Sequence, residues 1–223
     1  NHSRMLDENA FAGNLNTNPV RIDIEDTIKF VPIDFILNVV LNEEKEIIKA
    51  VAGHYINAHR EGCSFLDDLY KIHIKENADI VISSIGGFPK DLNLYQAQKA
   101  LDNAKYAVRE GGIIILVASC KEGLGGKVFE NWILEAIKPE DLIERIKMKF
   151  ELGGHKAAAI AMVLRNARIF LVSELDKEFV GNIFMESYQD VQSAYDSALE
   201  IMGNNAKVII VPHGGSILPV LDK

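Results

Sequence analysis

The sequence predicts an α/β fold, a three-layer domain with a mainly parallel sheet flanked by helices, and two observations support this class. Four short runs rich in Ile and Val lie at 79–85, 112–118, 167–172 and 207–211. Helical patterns separate or flank them, at about 55–76, 91–109, 127–149, 155–166 and 189–202. Short apolar runs of this kind are typical of buried strands. Their alternation with helices predicts βαβ units in a parallel sheet.

The first part of the chain is predicted to hold an irregular arm, a helix and a β-hairpin. Residues 1–19 contain five Asn and little periodicity, so we interpret them as an irregular arm in a region between domains. Apolar residues recur at three and four positions after Pro19, which predicts a short amphipathic helix. Strands are predicted at 35–41 and 47–52, around the polar turn 42–45. We expect one α/β domain over 20–223.

Composition and charge exclude several classes of protein. The chain has 48% hydrophobic and 25% charged residues, which is typical of a globular protein and excludes a disordered one. A net charge of -8 has the wrong sign for binding a phosphate backbone, so we expect no nucleic-acid partner. No apolar run approaches the roughly 20 residues of a membrane span, and no basic stretch followed by an apolar one opens the chain, so we expect no signal peptide. With two separated cysteines, Cys63 and Cys120, we expect a cytoplasmic protein without a membrane partner.

Glycine-rich loops follow three of the predicted strands, at 86–91, 120–127 and 212–216. Ligands of open α/β sheets bind beyond the carboxyl ends of the strands, and a helix start there can offer N–H groups to an anion. The second loop is not a phosphate-binding P-loop, because Lys121 and Val128 replace required residues. No GxGxxG follows a strand, which disfavours an NAD-dependent oxidoreductase. A non-enzymatic or nucleotide-binding α/β module stays open as an alternative.

Two helix starts carry candidate binding residues. Tyr95, Gln96 and Lys99 lie near the start of the helix after the first loop, where a phenol, an amide and an ammonium would suit a hydroxy-carboxylate. An ordinary solvated helix face is the alternative. His155 follows two glycines at another helix start and could bind a ligand, although it could equally belong to a helix cap. The six histidines form no HxxxH or HxH, so their spacing predicts no metal site.

The segment 79–101 resembles the C-terminal half of the lactate racemase family, the nickel-pincer nucleotide enzymes. Shorter matches support this resemblance at 1–2, 18–20, 35–42, 58–60 and 153–156. The resemblance implies a racemase or epimerase of lactate or a related 2-hydroxyacid. It also implies a cofactor in which a thiocarbonyl-substituted pyridinium mononucleotide holds nickel together with one protein histidine. In this family, hydride moves reversibly from the substrate carbinol carbon to the cofactor.

The resemblance assigns roles to individual residues. His2 matches the nickel-binding histidine, and His155 is assigned to the cofactor. Tyr95, Gln96 and Lys99 match substrate-side residues, and Gln96 and Lys99 are taken as catalytic. The family's proton-transferring histidines, a substrate-binding arginine and a cofactor-tethering lysine belong to an N-terminal catalytic domain expected to precede residue 1. We therefore expect these 223 residues to be a fragment that is inactive alone.

Overall fold

The computed structural model describes residues 2–42 and 44–222, apart from the side chains of residues 2 and 3. The chain divides into two compact units, Asn1–Lys71 and Ile72–Lys223, and each is described by itself. The expected bounds of the arm and the domain, 1–19 and 20–223, stay a prediction. No helix in the described part of the chain is long and apolar enough to span a bilayer.

The first unit contains helices around a β-hairpin. Its elements in chain order are a 3-10 helix His2–Leu6, helix α1 Pro19–Asp26, a 3-10 helix Thr27–Lys29, strands β1 Ile36–Leu41 and β2 Ile47–Gly53, and helix α2 Tyr55–Tyr70. Asn18 caps α1, because its side-chain oxygen accepts the N–H of Val20 at 3.0 Å. Arg4 Nε lies 2.7 Å from Asp23 Oδ2, which links the first residues to α1.

Strands β1 and β2 pair in antiparallel fashion, which confirms the predicted hairpin. One face of this hairpin packs on α2. Val40 and Val51 are buried on that face, and a Cβ added to Gly62 of α2 would lie 3.3 Å from Val51 Cγ2. The helix and the hairpin are therefore in close contact, and a side chain larger than glycine at position 62 would press on the strand.

The second unit is built on a five-stranded parallel sheet, as predicted. Its strands lie in the order β7-β6-β5-β4-β8, and a separate two-stranded sheet pairs β3 with β9. The bounds are β3 Lys71–Ile74, β4 Ala78–Ser84, β5 Val108–Val117, β6 Ala167–Val172, β7 Glu186–Tyr188, β8 Val208–Val211 and β9 Leu218–Leu221. The parallel pairing places the carboxyl ends of all five strands at one edge.

Helices cover the parallel sheet and complete the layered architecture. They are α3 Leu94–Ala104, α4 Lys127–Glu135, α5 Pro139–Met148, α6 Gly154–Leu164, α7 Lys177–Asn182 and α8 Val191–Met202. Ala194 and Ala198 of α8 pack with Ile113, Ile115 and Phe170 on one face of the sheet. Helix α3 packs on β4 and β5, and α6 packs on β6 and α3. The α/β class with a mainly parallel, helix-flanked sheet is confirmed.

The structure differs from the sequence prediction at one long helix and several short elements. The segment 127–149 was predicted to be one helix but forms α4 and α5. Lys138 is extended, with φ -147° and ψ 157°, because the proline that follows disfavours helical backbone before it. Strand β3 begins where the predicted helix 55–76 was expected to continue. Four short elements, β3, α7, β7 and β9, have too few residues for a periodic signal.

Candidate functional site

The loops after β4, β5 and β8 meet around the start of α3. The N–H groups of Leu94 and Tyr95 donate to the carbonyl oxygens of Gly123 and Leu124, at 3.1 and 3.0 Å. The next N–H, that of Gln96, donates to Asn93 Oδ1 at 3.1 Å, so Asn93 caps the helix. The first N–H groups of α3 are therefore used within the protein. The expectation that this helix start offers them to an anion is wrong.

A small cavity lies beside the start of α3, and two of the predicted substrate residues, Gln96 and Lys99, line it. Its volume is about 160 Å³, well below the roughly 300–1,000 Å³ of pockets that hold drug-sized ligands. Lys99 Nζ donates to Gln96 Oε1 at 2.7 Å. Lys90 and Lys99 line the cavity, and no acidic residue among those described does, so the net charge of the lining is positive. The lining residues are Ile85, Lys90, Gln96, Lys99, Gly215 and Ser216.

The chemistry of this lining suits a small carboxylate. Two ammonium groups, from Lys90 and Lys99, can donate charge-assisted hydrogen bonds, while the Gln96 amide and the Ser216 hydroxyl can bind a neutral oxygen. Sequence analysis assigned no role to Lys90 or Ser216. Both lie in glycine-rich loops that the sequence analysis singled out, so the loop positions at the sheet edge were the available signal.

Tyr95 lies beside the cavity and does not line it. Its ring packs edge-on against Phe129, with 5.7 Å between the ring centroids. Lys156 Nζ lies 5.7 Å from the centroid of the same ring and donates to Gln98 Oε1 at 2.7 Å. Burial lowers the pKa of Lys156, the Asp102 carboxylate opposes this shift, and the Lys99 ammonium adds to it. Lys156 thus adds a partly desolvated cation next to Tyr95, a feature that sequence analysis missed.

His155 lies in the first turn of α6, the helix that packs on α3. Lys156, the next residue, reaches Gln98, which is next to Lys99. The two predicted site segments therefore lie side by side. His155 Nδ1 accepts the N–H of Gly153 at 3.1 Å, and its ring centroid lies 5.9 Å from that of Phe150. The assignment of His155 to a cofactor stays a prediction.

The predicted nickel ligand cannot be located in the same way. The backbone of His2 begins the 3-10 helix His2–Leu6, but its side chain lies outside the described part of the structure. Among the described residues, no group of three or more His, Cys, Asp or Glu could hold a metal ion. The metal-binding role of His2 stays a prediction.

The loop after β5 buries Cys120 against the residues that precede α3. The Cys120 N–H donates to the Asp91 carbonyl oxygen at 2.7 Å. Burial raises the pKa of the Cys120 thiol to about 12, and the Asp91 carboxylate adds to the increase. We expect Cys120 to resist a maleimide reagent at pH 8 in the native protein, because its thiolate fraction is about 10⁻⁴. Peptide mapping by mass spectrometry would measure this, and labelling as fast as in urea would contradict the buried loop.

The fold and the cavity define a class of protein, an α/β domain whose sheet edge carries a small cationic site suited to a carboxylate. The chain belongs to the lactate racemase family, since a family model described as the lactate racemase C-terminal domain matches residues 73–219. The resemblance noted in the sequence is confirmed. The matched range begins one residue after the start of the second compact unit.

Individual relatives agree with this family. A lactate racemase from Thermoanaerobacterium thermosaccharolyticum is 33% identical over 98% of this chain and 53% of its own length. A lactate racemase from Lactiplantibacillus plantarum is 32% identical over 94% of this chain and 50% of its own length. The solved lactate racemase apoprotein from T. thermosaccharolyticum has a TM-score of 0.91 and 31% identity, covering 100% of this chain and 54% of that one. The chain thus spans about half the length of these relatives.

Proposed function

We propose that the full-length protein is an isomerase, a racemase or epimerase of lactate or a related 2-hydroxyacid that depends on a nickel-pincer nucleotide. The observation that carries this proposal is the cavity at Lys99 and Gln96, which is small and cationic and lies within the matched family domain. Two relatives are named lactate racemases. A 2-hydroxyacid carries a carboxylate and a hydroxyl close together, which matches ammonium groups placed beside an amide.

Lys99 and Gln96 would act on the substrate directly. The Lys99 ammonium would bind the substrate carboxylate, or an oxygen that gains negative charge as the carbinol carbon is oxidised. Gln96 accepts a hydrogen bond from Lys99, which orients the ammonium, and its amide nitrogen is left to donate to substrate. Tyr95 shapes the adjoining wall, where Phe129 and Lys156 contact its ring.

The described residues of this chain do not by themselves fit the cofactor. The N–H groups of Gly153, Gly154 and Lys156 at the start of α6 donate to protein acceptors, so they form no phosphate cradle. When bound, the cofactor would supply the hydride acceptor. A second wall from an N-terminal domain, the partner proposed here, would complete its site and exclude water. The 223 residues alone are then inactive, and the proposed location of the whole protein is the cytoplasm.

A non-enzymatic or nucleotide-binding α/β module is the alternative function. The geometry favours it less, because backbone N–H groups at the starts of α3 and α6 are engaged by protein acceptors and the cavity is small for a nucleotide. An anion-binding module without catalysis would keep the cavity but would not invert a stereocentre.

Racemisation by the full-length protein, produced with its cofactor, tests the proposal. We expect the enantiomers of a 2-hydroxyacid to interconvert, and chiral chromatography measures this interconversion. His2→Ala should lose nickel and lower kcat/KM by at least about 10²-fold, since changes even behind a metal ligand cost 10–100-fold. His73→Ala is the control, because His73 is exposed and its Nδ1 lies 2.9 Å from Asp222 Oδ1. Full nickel content and activity in His2→Ala would remove the ligand assignment, and inactivity of the wild type towards all 2-hydroxyacids would remove the function.

A further inference from the structure

The hairpin of the first unit has an exposed apolar face, here called the outer face. It consists of Leu37 and Val39 of β1 with Ile48, Ala50 and Ala52 of β2. In the pairing register Leu37 is opposite Ala52 and Val39 is opposite Ala50, so these side chains share one side of the sheet. Leu37 is 65% exposed and Val39 is 45% exposed. The outer face contains no charged residue.

The opposite face of the same hairpin is already packed on α2. Val40 and Val51 lie on that face and are only 7% and 3% exposed. A sheet with one solvated face normally alternates apolar and polar residues, whereas strands buried on both faces are apolar throughout. The polar residues Asn38 and Lys49 lie on the face that packs on α2, whereas the outer face is apolar throughout, as expected of a face that is covered.

The first unit also has a small core and open strand edges. Among its described residues, the buried hydrophobic side chains are Val40, Val51 and Ala58. Within the described part of the chain, β1 and β2 form a sheet with no third strand. A two-stranded sheet is marginally stable, and unpaired edges are sites for further strand pairing. More polypeptide is needed to complete this core.

The family comparison indicates where that polypeptide lies. The family's C-terminal domain begins at residue 73, so the first unit lies outside it. The chain covers 53% and 50% of the two lactate racemases, so about half of each relative has no counterpart here. We propose that the outer face packs against an apolar surface of the N-terminal domain of the full-length protein. This inference rests on the proposed second domain and locates its contact surface, but it does not depend on racemase activity.

Thiol labelling of one introduced cysteine at a time tests the proposed contact, and peptide mapping distinguishes each introduced thiol from the native Cys63 and Cys120. Leu37→Cys and Ala50→Cys would each be introduced into the 223-residue chain and into the full-length protein. Ala50→Cys changes the side chain little, so it keeps the test valid if Leu37→Cys fails to fold. We expect labelling in the full-length protein to be slower by on the order of 100-fold or more, because access would require local opening. Ile137→Cys is the matched control, since Ile137 is 90% exposed in the second unit and should label equally in both proteins.

The outcomes separate the possible occupants of the outer face. Protection in the monomeric full-length protein, with fast labelling in the short chain, supports the proposal. Equal labelling rates in the two proteins would overturn it. Protection that appears only in dimers of either protein, as measured by light scattering, would assign the face to a second copy and would also overturn it. A protected but catalytically inactive full-length protein would leave the contact intact and reject only the proposed function.

Discussion

Replacing Lys99 with Met in the full-length, cofactor-loaded protein should lower kcat/KM by about 10- to 150-fold. A hydrogen bond from a charged group contributes roughly 1.5–3 kcal/mol, and each 1.4 kcal/mol is about tenfold in rate. The substitution keeps the unbranched apolar part of the side chain and removes the ammonium that lines the cavity. It also removes the bond that Lys99 donates to Gln96 Oε1 at 2.7 Å. Initial rates of racemisation from each enantiomer measure the effect.

Lys105→Met is the matched control for this prediction. Lys105 lies at the far end of the same helix, with its Nζ 3.5 Å from Asp102 Oδ1, and it does not line the cavity. Its substitution should leave kcat/KM unchanged. If Lys99→Met stays within twofold of the wild type, Lys99 contacts neither the carboxylate nor a developing oxyanion.

The separate constants then distinguish two roles for Lys99. A lysine that binds the carboxylate equally in the ground state and the transition state gives a raised KM with little change in kcat. A lysine that stabilises charge only as it develops gives a lower kcat and kcat/KM together. Lys99 is exposed in this chain, and water weakens the interaction of an exposed charge with developing charge, which favours the first role. Covering by the proposed N-terminal domain would favour the second role.

Sequence patterns predicted the second unit well because the central strands of its sheet, β4, β5 and β6, are largely buried. The four Ile- and Val-rich runs all became strands of one parallel sheet, since such runs have few alternative places in a fold. The helix break at 136–138 was also visible in principle, because Pro139 disfavours helical backbone in the residue before it. The three residues of β7 carry no period and depend on pairing with β6.

The sheet edge where the candidate cavity lies was predictable from the sequence, and the residues that line the cavity were less so. Strand ends and glycine-rich loops pointed to the edge where the cavity lies, and the helix start singled out there carries Gln96 and Lys99, which line it. The use of the helix N–H groups was not predictable, because it depends on the carbonyl oxygens of Gly123 and Leu124, about 30 residues away. The position of Lys156 beside the site was not predictable for the same reason, since its partners Gln98 and Tyr95 lie on another helix.

The loop that caps α3 should be sensitive to a single added methyl group at Gly125. Gly125 has φ +88°, and a Cβ added there would lie 2.3 Å from Asn93 Cγ. Asn93 would have to move and would lose its bond to the Gln96 N–H. We expect Gly125→Ala to lower the free energy of unfolding by about 2–4 kcal/mol, from about 1–2 kcal/mol of backbone strain and about 1–2 kcal/mol for the lost cap. Urea denaturation measures this change.

Gly123→Ala separates the two causes, because Gly123 lies in the same loop with φ +73° and an added Cβ would meet no atom within 4 Å. It should show the backbone strain alone, about 1–2 kcal/mol. Asn93→Gly should lower the free energy of unfolding by only about a few tenths of a kcal/mol, because glycine is tolerated as an N-cap. It also removes the side chain that an added Cβ at Gly125 would meet. In that background Gly125→Ala should cost no more than Gly123→Ala, which gives a coupling energy of about 1–2 kcal/mol. Equal costs for Gly125→Ala and Gly123→Ala in the wild-type background would show that the loop does not hold Asn93, and with it Gln96 and Lys99, in place.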